Sequence, residues 1–119
     1  MNIRKMLRSF RYAIHGIYLL FKKENNARFH LLAAVIAVLM GLHFRIRPWE
    51  WAAVTICIIT VLSAEAFNTA LEKLCDRLFP EQDPAIGGVK DLAAAAVLFV
   101  AVGAVVVALL VFGRRLLGY

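Results

Sequence analysis

The stretch AEAFNTALEKLCD, residues 64–76, follows a long apolar run, yet it holds Glu65, Asn68, Glu72 and Asp76. On a helix turning about 100° per residue, Asn68 falls roughly 60° and Glu72 roughly 20° to one side of Glu65, with Asp76 roughly 20° to the other. All four therefore share one face. A carboxylate inside a membrane is costly and by default functional. At lipid depth it can take a proton from a membrane-embedded hydroxyl, and desolvation strengthens it as a base. Carboxylates nearer the surface can hold Mg²⁺, which takes a few carboxylates together with phosphate oxygens. Glu24 and Arg28 bring further charge, as does the Lys90-Asp91 pair after Gly87-Gly88. A lysine there can offset phosphate charge. This is the set of groups that phosphoryl transfer to a lipid alcohol needs. Each residue also has a plainer role: Glu65 capped by a neighbouring helix, Asp76 solvated, and Lys5, Arg28 and Lys90 as ordinary cytoplasmic-side charges. His15, His30 and His43 read as interfacial histidines, His30 with a hydrogen-bond partner.

The elements that must position these groups are helical. The 119 residues fit one domain, 1–119, and 62% of them are apolar, well above the roughly half found in soluble domains. Fourteen Lys and Arg against eight Asp and Glu give a net charge of +6. Basic residues beside apolar runs suit an anionic membrane surface, not nucleic acid. Residues 1–23 are amphipathic, with Ile3, Met6, Leu7, Phe10, Ile14, Ile17 and Phe21 on one stripe, as in a helix lying in the membrane interface. Three spans are expected, at 25–44, 48–78 and 88–112. Pro48 suits a first helical turn, and Pro80, Pro84 and Gly87-Gly88 read as breakers between the second and third. The fold class is thus an all-α integral membrane protein, a surface helix followed by three transmembrane helices.

Three spans put the two ends on opposite sides. The N-terminal part and the 73–90 region hold ten Lys and Arg, whereas the 45–47 loop and the C-terminus hold four. The positive-inside rule then places the N-terminus and the 76–91 loop in the cytoplasm. Trp49 and Trp51 stand where an outer aromatic belt would be. From Trp51 to Glu65 is about 21 Å of helix, so Glu65 lies past the middle of a hydrocarbon core about 30 Å thick. Cys57 and Cys75 would sit roughly 27 Å apart on one helix, too far for a disulfide, and two cysteines give no zinc pattern. No GxxxxGK[ST] loop and no HRD or DFG pattern occurs, so any ATP is bound without the familiar soluble nucleotide folds.

Glu24-Asn25-Asn26-Ala27-Arg28, AEAFNTALEKLCD and VKDLAAAAV resemble the small bacterial integral-membrane lipid kinases, the prokaryotic diacylglycerol kinase and undecaprenol kinase family. The resemblance covers nearly the whole chain, and Glu-x-x-Asn-(Ser/Thr)-Ala-x-Glu followed by Lys-Asp is specific. It implies a homotrimeric bundle in the bacterial inner membrane, with active sites between subunits on the cytoplasmic side. There Mg-ATP gives its γ-phosphoryl group to a lipid hydroxyl. By motif, Glu65 would be the general base, supported by Asn68, and Glu24 and Glu72 would bind metal and ATP phosphates. Lys5, Tyr12, Asp76, Glu81, Asp83, Lys90 and Asp91 would contact the nucleotide, and Arg28 with Glu65 the lipid. Glu81-Gln82-Asp83-Pro84 departs from the family's usual Glu-Tyr-His-Pro-like stretch. Asn25-Asn26-Ala27-Arg28-Phe29-His30 looks closer to the undecaprenol kinase side, since the diacylglycerol enzymes tend to carry an acid where His30 stands.

Two other classes compete. A small proton-coupled transporter would explain Glu65 but favours a midplane site, not charges gathered at one surface. A scaffolding membrane protein would treat the charges as topology signals. The small-residue run Ala93-Ala94-Ala95-Ala96 suits close helix packing under any of these.

Overall fold

The computed structural model describes residues 1–118 and, among them, contains four helices and no strand. Tyr119, the last residue of a C-terminal stretch without a readable motif, lies outside the described residues.

Helix α1, Ile3–Lys23, starts at Asn2, whose side chain accepts a hydrogen bond from the Lys5 N–H at 3.1 Å. Its apolar stripe is exposed at Ile3, Leu7, Phe10, Ile14 and Ile17, which an interfacial helix can bury in lipid. Glu24 ends α1 in an extended conformation and at the same time begins α2, Asn25–Phe44. Helix α2 closes on Arg45 in the left-handed region at φ 51°, and the Ile46 N–H then reaches back to the Gly41 carbonyl at 3.2 Å. That turn tucks Ile46 under the bundle at 6% exposure. Helix α3, Pro48–Leu78, follows at once with proline in its first turn. Helix α4, Pro84–Leu117, completes the chain and ends on Gly118 at φ 85°.

Helices α2, α3 and α4 are each long and apolar enough to cross a membrane. Helix α4 runs further than the expected 88–112. It takes in Gly87 and Gly88, which the sequence marks as breakers. The reason is local. Asp83 caps the helix by accepting from the Ala85 N–H at 2.9 Å, and Pro84 is preset for the first turn. A cap is worth about 1 kcal/mol and offsets much of the roughly 1 kcal/mol that each helical glycine costs.

Helix α3 touches all three others, most extensively α4. Ile46, Val54, Val111 and Phe112 form the buried apolar cluster, flanked by Met40, Phe44 and Trp51. It sits where α3 begins and α4 ends. Trp51 belongs to this cluster and not to an aromatic belt: its ring lies over Gly41, where a Cβ would meet Trp51 Cη2 at 2.6 Å. Trp49 is 64% exposed. A second tie lies beside the cluster. Glu50 is only 4% exposed and accepts from both Arg115 amino groups, Nη1 at 2.6 Å and Nη2 at 2.9 Å. The Arg47 N–H completes the carboxylate at 3.0 Å, and Arg115 also reaches the Val111 carbonyl. Nothing in the local sequence pattern announces this pair.

Two outcomes test this account. Gly41→Ala pushes a methyl into the Trp51 ring and is expected to destabilise the protein by about 1–3 kcal/mol, read by thermal unfolding in detergent. Arg115→Ala is expected to lower the unfolding midpoint more than the double change Glu50→Leu with Arg115→Met. The single change strands a buried carboxylate, whereas the double change removes both charges. Equal losses would place the stabilisation elsewhere.

Candidate active site

The polar face of α3 is buried where it meets α2. Glu65 is 2% exposed, and Asn68 and Thr69 are each 7% exposed. From α2, His30 faces Glu65, with Nε2 3.6 Å from the carboxylate Oε2. One turn further along α3, the Asn68 amide donates to Glu72 Oε1 at 3.3 Å. Glu72 and Glu24 both stand close enough to act on Glu65 electrostatically. Lys73 approaches Glu24 at 4.0 Å across the α1–α2 junction, an exposed contact of little energetic weight. At the end of α3, Asp76 pairs with Lys90 of α4.

Polar groups buried in a protein normally find partners. Here Asn68 Oδ1 and Thr69 Oγ1 have no hydrogen-bond partner among the described residues. Both lie on the same stretch of α3 as Glu65 and Glu72. An orphaned acceptor next to a carboxylate is a place where a ligand group can bind.

Below this polar cluster lies an apolar groove of about 240 Å³ between α2, α3 and α4. Ala33, Ala34 and Ala37 form its α2 wall, and Ala101, Ala104 and Ala108 its α4 wall. The small side chains keep the helices' facing surfaces low, which leaves the groove open. His30 is part of its lining, so the groove reaches the imidazole that faces Glu65.

The structure therefore brings together Glu24, Glu65, Asn68, Glu72, Asp76 and Lys90 along one side of α3. Arg28 lies next to them, but its guanidinium is engaged: Nε donates to the Phe21 carbonyl at 2.7 Å and Nη2 to the Lys22 carbonyl. It caps the end of α1 and clasps that helix to α2. The remaining sequence candidates stay apart within one chain. Tyr12 is 69% exposed on α1, and Lys5 is exposed near its start. Glu81 is exposed in the α3–α4 connection, Asp83 is the α4 cap, and Asp91 points to the surface. Among the described residues no three His, Cys, Asp or Glu side chains form a metal cluster. Sequence reasoning missed the opposition of His30 and Glu65. An imidazole one turn and a half beyond Glu24 was its only signal.

The sequence model of the prokaryotic diacylglycerol kinases matches residues 11–112. An undecaprenol kinase of Bacillus subtilis is 31% identical over 115 residues, which cover 97% of this chain and 94% of that protein. A diacylglycerol kinase of Synechocystis sp. is 36% identical over 105 residues, 86% of this chain and 59% of that protein's length.

If Arg28 clasps α1, then Arg28→Ala should raise amide hydrogen exchange at the last turn of α1 and at residues 24–27. Exchange at 54–61 in α3 should stay unchanged. An unaltered α1 end would mean that other contacts hold the junction.

Proposed function

Because the chain belongs to the prokaryotic diacylglycerol kinase family, we propose that it is an ATP-dependent lipid kinase acting on the hydroxyl of diacylglycerol or undecaprenol. The observation that carries this reading is the buried Glu65 carboxylate, which faces His30 in the lining of an apolar groove and shares one helical face with Glu72 and Asp76. A lipid chain lies in the groove, entering sideways from the bilayer, and brings its hydroxyl up to Glu65. Glu65 takes the hydroxyl proton as the oxygen attacks the γ-phosphorus. The bond from that phosphorus to the bridging oxygen breaks, and ADP leaves with the electron pair.

Asn68 has two tasks. Its amide holds Glu72, and its buried carbonyl oxygen is available to a donor on the reacting groups. Glu24 and Glu72 would hold Mg²⁺. Glu72 accepts from Asn68 through Oε1, and its other oxygen would be available to the ion. When bound, the ion neutralises charge on the ATP phosphates. Lys90, held by Asp76 at the end of α3, contributes positive charge at the phosphates. Lys5, Tyr12, Glu81, Asp83 and Asp91 are assigned to the nucleotide. Since one chain does not gather them, the reading includes a homotrimer in which a neighbouring subunit completes each site. In the bacterial inner membrane the site faces the cytoplasm, where ATP is. That orientation matches the excess of Lys and Arg in the N-terminal part and the 73–90 region.

The test is ADP release and lipid phosphate formation by the purified protein in mixed micelles with Mg-ATP, with diacylglycerol and undecaprenol run in parallel. Glu65→Gln keeps the shape of the side chain and removes the base. It should lower kcat by about a hundredfold to ten-thousandfold while the helical signal stays. The preferred lipid names the branch. Absence of turnover with both lipids, from folded protein, would sink the kinase reading and bring the proton-coupled transporter forward.

A further inference from the structure

We propose that His30 is a proton relay for Glu65: its imidazole receives the proton that Glu65 removes from the lipid and passes it towards water. The proposal rests on the lipid kinase reading and adds a residue to it.

The argument starts from proton accounting. Each turnover breaks one O–H bond and leaves one proton on the base, and that proton must depart before the next lipid can react. The Glu65 side chain is 3% exposed, too enclosed for ready exchange with bulk water, whereas the His30 side chain is 17% exposed. Among the described residues, His30 is the only cationic or potentially cationic partner within 4.0 Å of the Glu65 carboxylate. The 3.6 Å separation is longer than a hydrogen bond of about 2.7–3.2 Å. A small side-chain rotation or one bridging water closes it, as is common for catalytic contacts that tighten only when substrate is bound.

The neighbours leave His30 this task. Arg28, on the same helix, spends its guanidinium on the α1 carbonyls. From α3, Glu72 is engaged with Asn68, and Lys73 faces Glu24. At the groove, α4 brings only apolar side chains such as Ala101, Ala104 and Val105. Neutral imidazole has one acceptor and one donor nitrogen. Nε2 accepts the proton from Glu65 and Nδ1 gives its proton to water, which leaves the other tautomer; exchange of both ring protons with water between turnovers returns Nε2 to its acceptor form. No net charge accumulates, and the carboxylate is restored.

Three measurements on the full-length protein in micelles test this. The first compares lipid phosphorylation by His30→Gln and wild type. Gln keeps a donor towards Glu65 but cannot carry a proton. The expected result is a fall in kcat of about tenfold to a hundredfold, with KM for lipid within about twofold and a larger solvent deuterium isotope effect on kcat. The second adds imidazole to His30→Ala and expects partial recovery of kcat. The third records the ¹⁵N shifts of His30 at one fixed pH, assigned by their loss in His30→Gln, and expects them to change when Glu65 is changed to Gln. A raised lipid KM at unchanged kcat would make His30 a lipid contact and overturn the relay. Wild-type kcat in His30→Gln would overturn it too. So would His30 ¹⁵N shifts indifferent to Glu65. A wild-type protein whose His30 responds to Glu65 but which phosphorylates no lipid would instead fail the kinase reading, and the relay with it, while leaving the pair itself in place.

Discussion

A carboxyl group buried at membrane depth is the constraint around which this chain is arranged. Glu65 cannot be solvated by lipid, and an isolated charge there costs several kcal/mol. Each neighbouring element answers part of that demand. Helix α2 places His30 opposite it. Helix α3 continues the polar face through Asn68 and Glu72 to Asp76, so that polarity rises in steps towards one membrane surface. Helix α4 delivers Lys90 to the top of the series. Even the α1–α2 junction takes part, since Arg28 fixes α1 beside Glu24. The site is thus a graded descent from water to lipid, carried mainly by one helix.

Two ion pairs fix the depth of that helix. Glu50–Arg115 ties the start of α3 to the end of α4, and Asp76–Lys90 ties the end of α3 to the start of α4. Residues 50 and 76 are about 39 Å apart along α3 at 1.5 Å per residue. The hydrocarbon core is about 30 Å thick, so both pairs stand at or beyond its boundaries while Glu65 remains within. Sliding α3 along the membrane normal would drag one of these pairs into hydrocarbon. The pair buried in protein, Glu50–Arg115, lies at the end away from the candidate site, beside the apolar cluster of Ile46, Val54, Val111 and Phe112. The pair at the chemical end is exposed, and so can exchange partners with a charged ligand. Rigidity and reactivity are placed at opposite ends of the same two helices.

The spans and the polar face were legible in the sequence because both are periodic or compositional features. Charge-free apolar runs mark membrane helices whatever packs on them, and residues 65, 68, 72 and 76 share a face on any α-helix. What was not legible depends on register between helices. Glu50 and Arg115 are 65 positions apart, and no local pattern links them. His30 meets Glu65 only because α2 and α3 pack at one particular height. Trp51 looked interfacial by position, but Gly41 opens a notch that its ring fills. Gly87 and Gly88 looked like breakers, but the cap by Asp83 and the preset turn at Pro84 offset part of their cost, and the helix runs through them. In each case a tertiary or capping contact overrode a sound local expectation.

The same reasoning explains why the groove between α2, α3 and α4 stays open. In water, an apolar cleft lined by alanines would tend to close, because burial removes apolar surface from solvent. In a bilayer that driving force is absent: lipid tails are as apolar as the walls. Helices there are held by polar ties and by close contacts at small residues, and this chain has the ion pairs at its ends and the Gly41–Trp51 contact. Between those ties nothing compels Ala33, Ala37, Ala104 and Ala108 to meet. A groove reaching His30, beside the Glu65 carboxylate, can therefore exist without strain. The bilayer that makes the buried acid costly is also what keeps its approach open to a lipid.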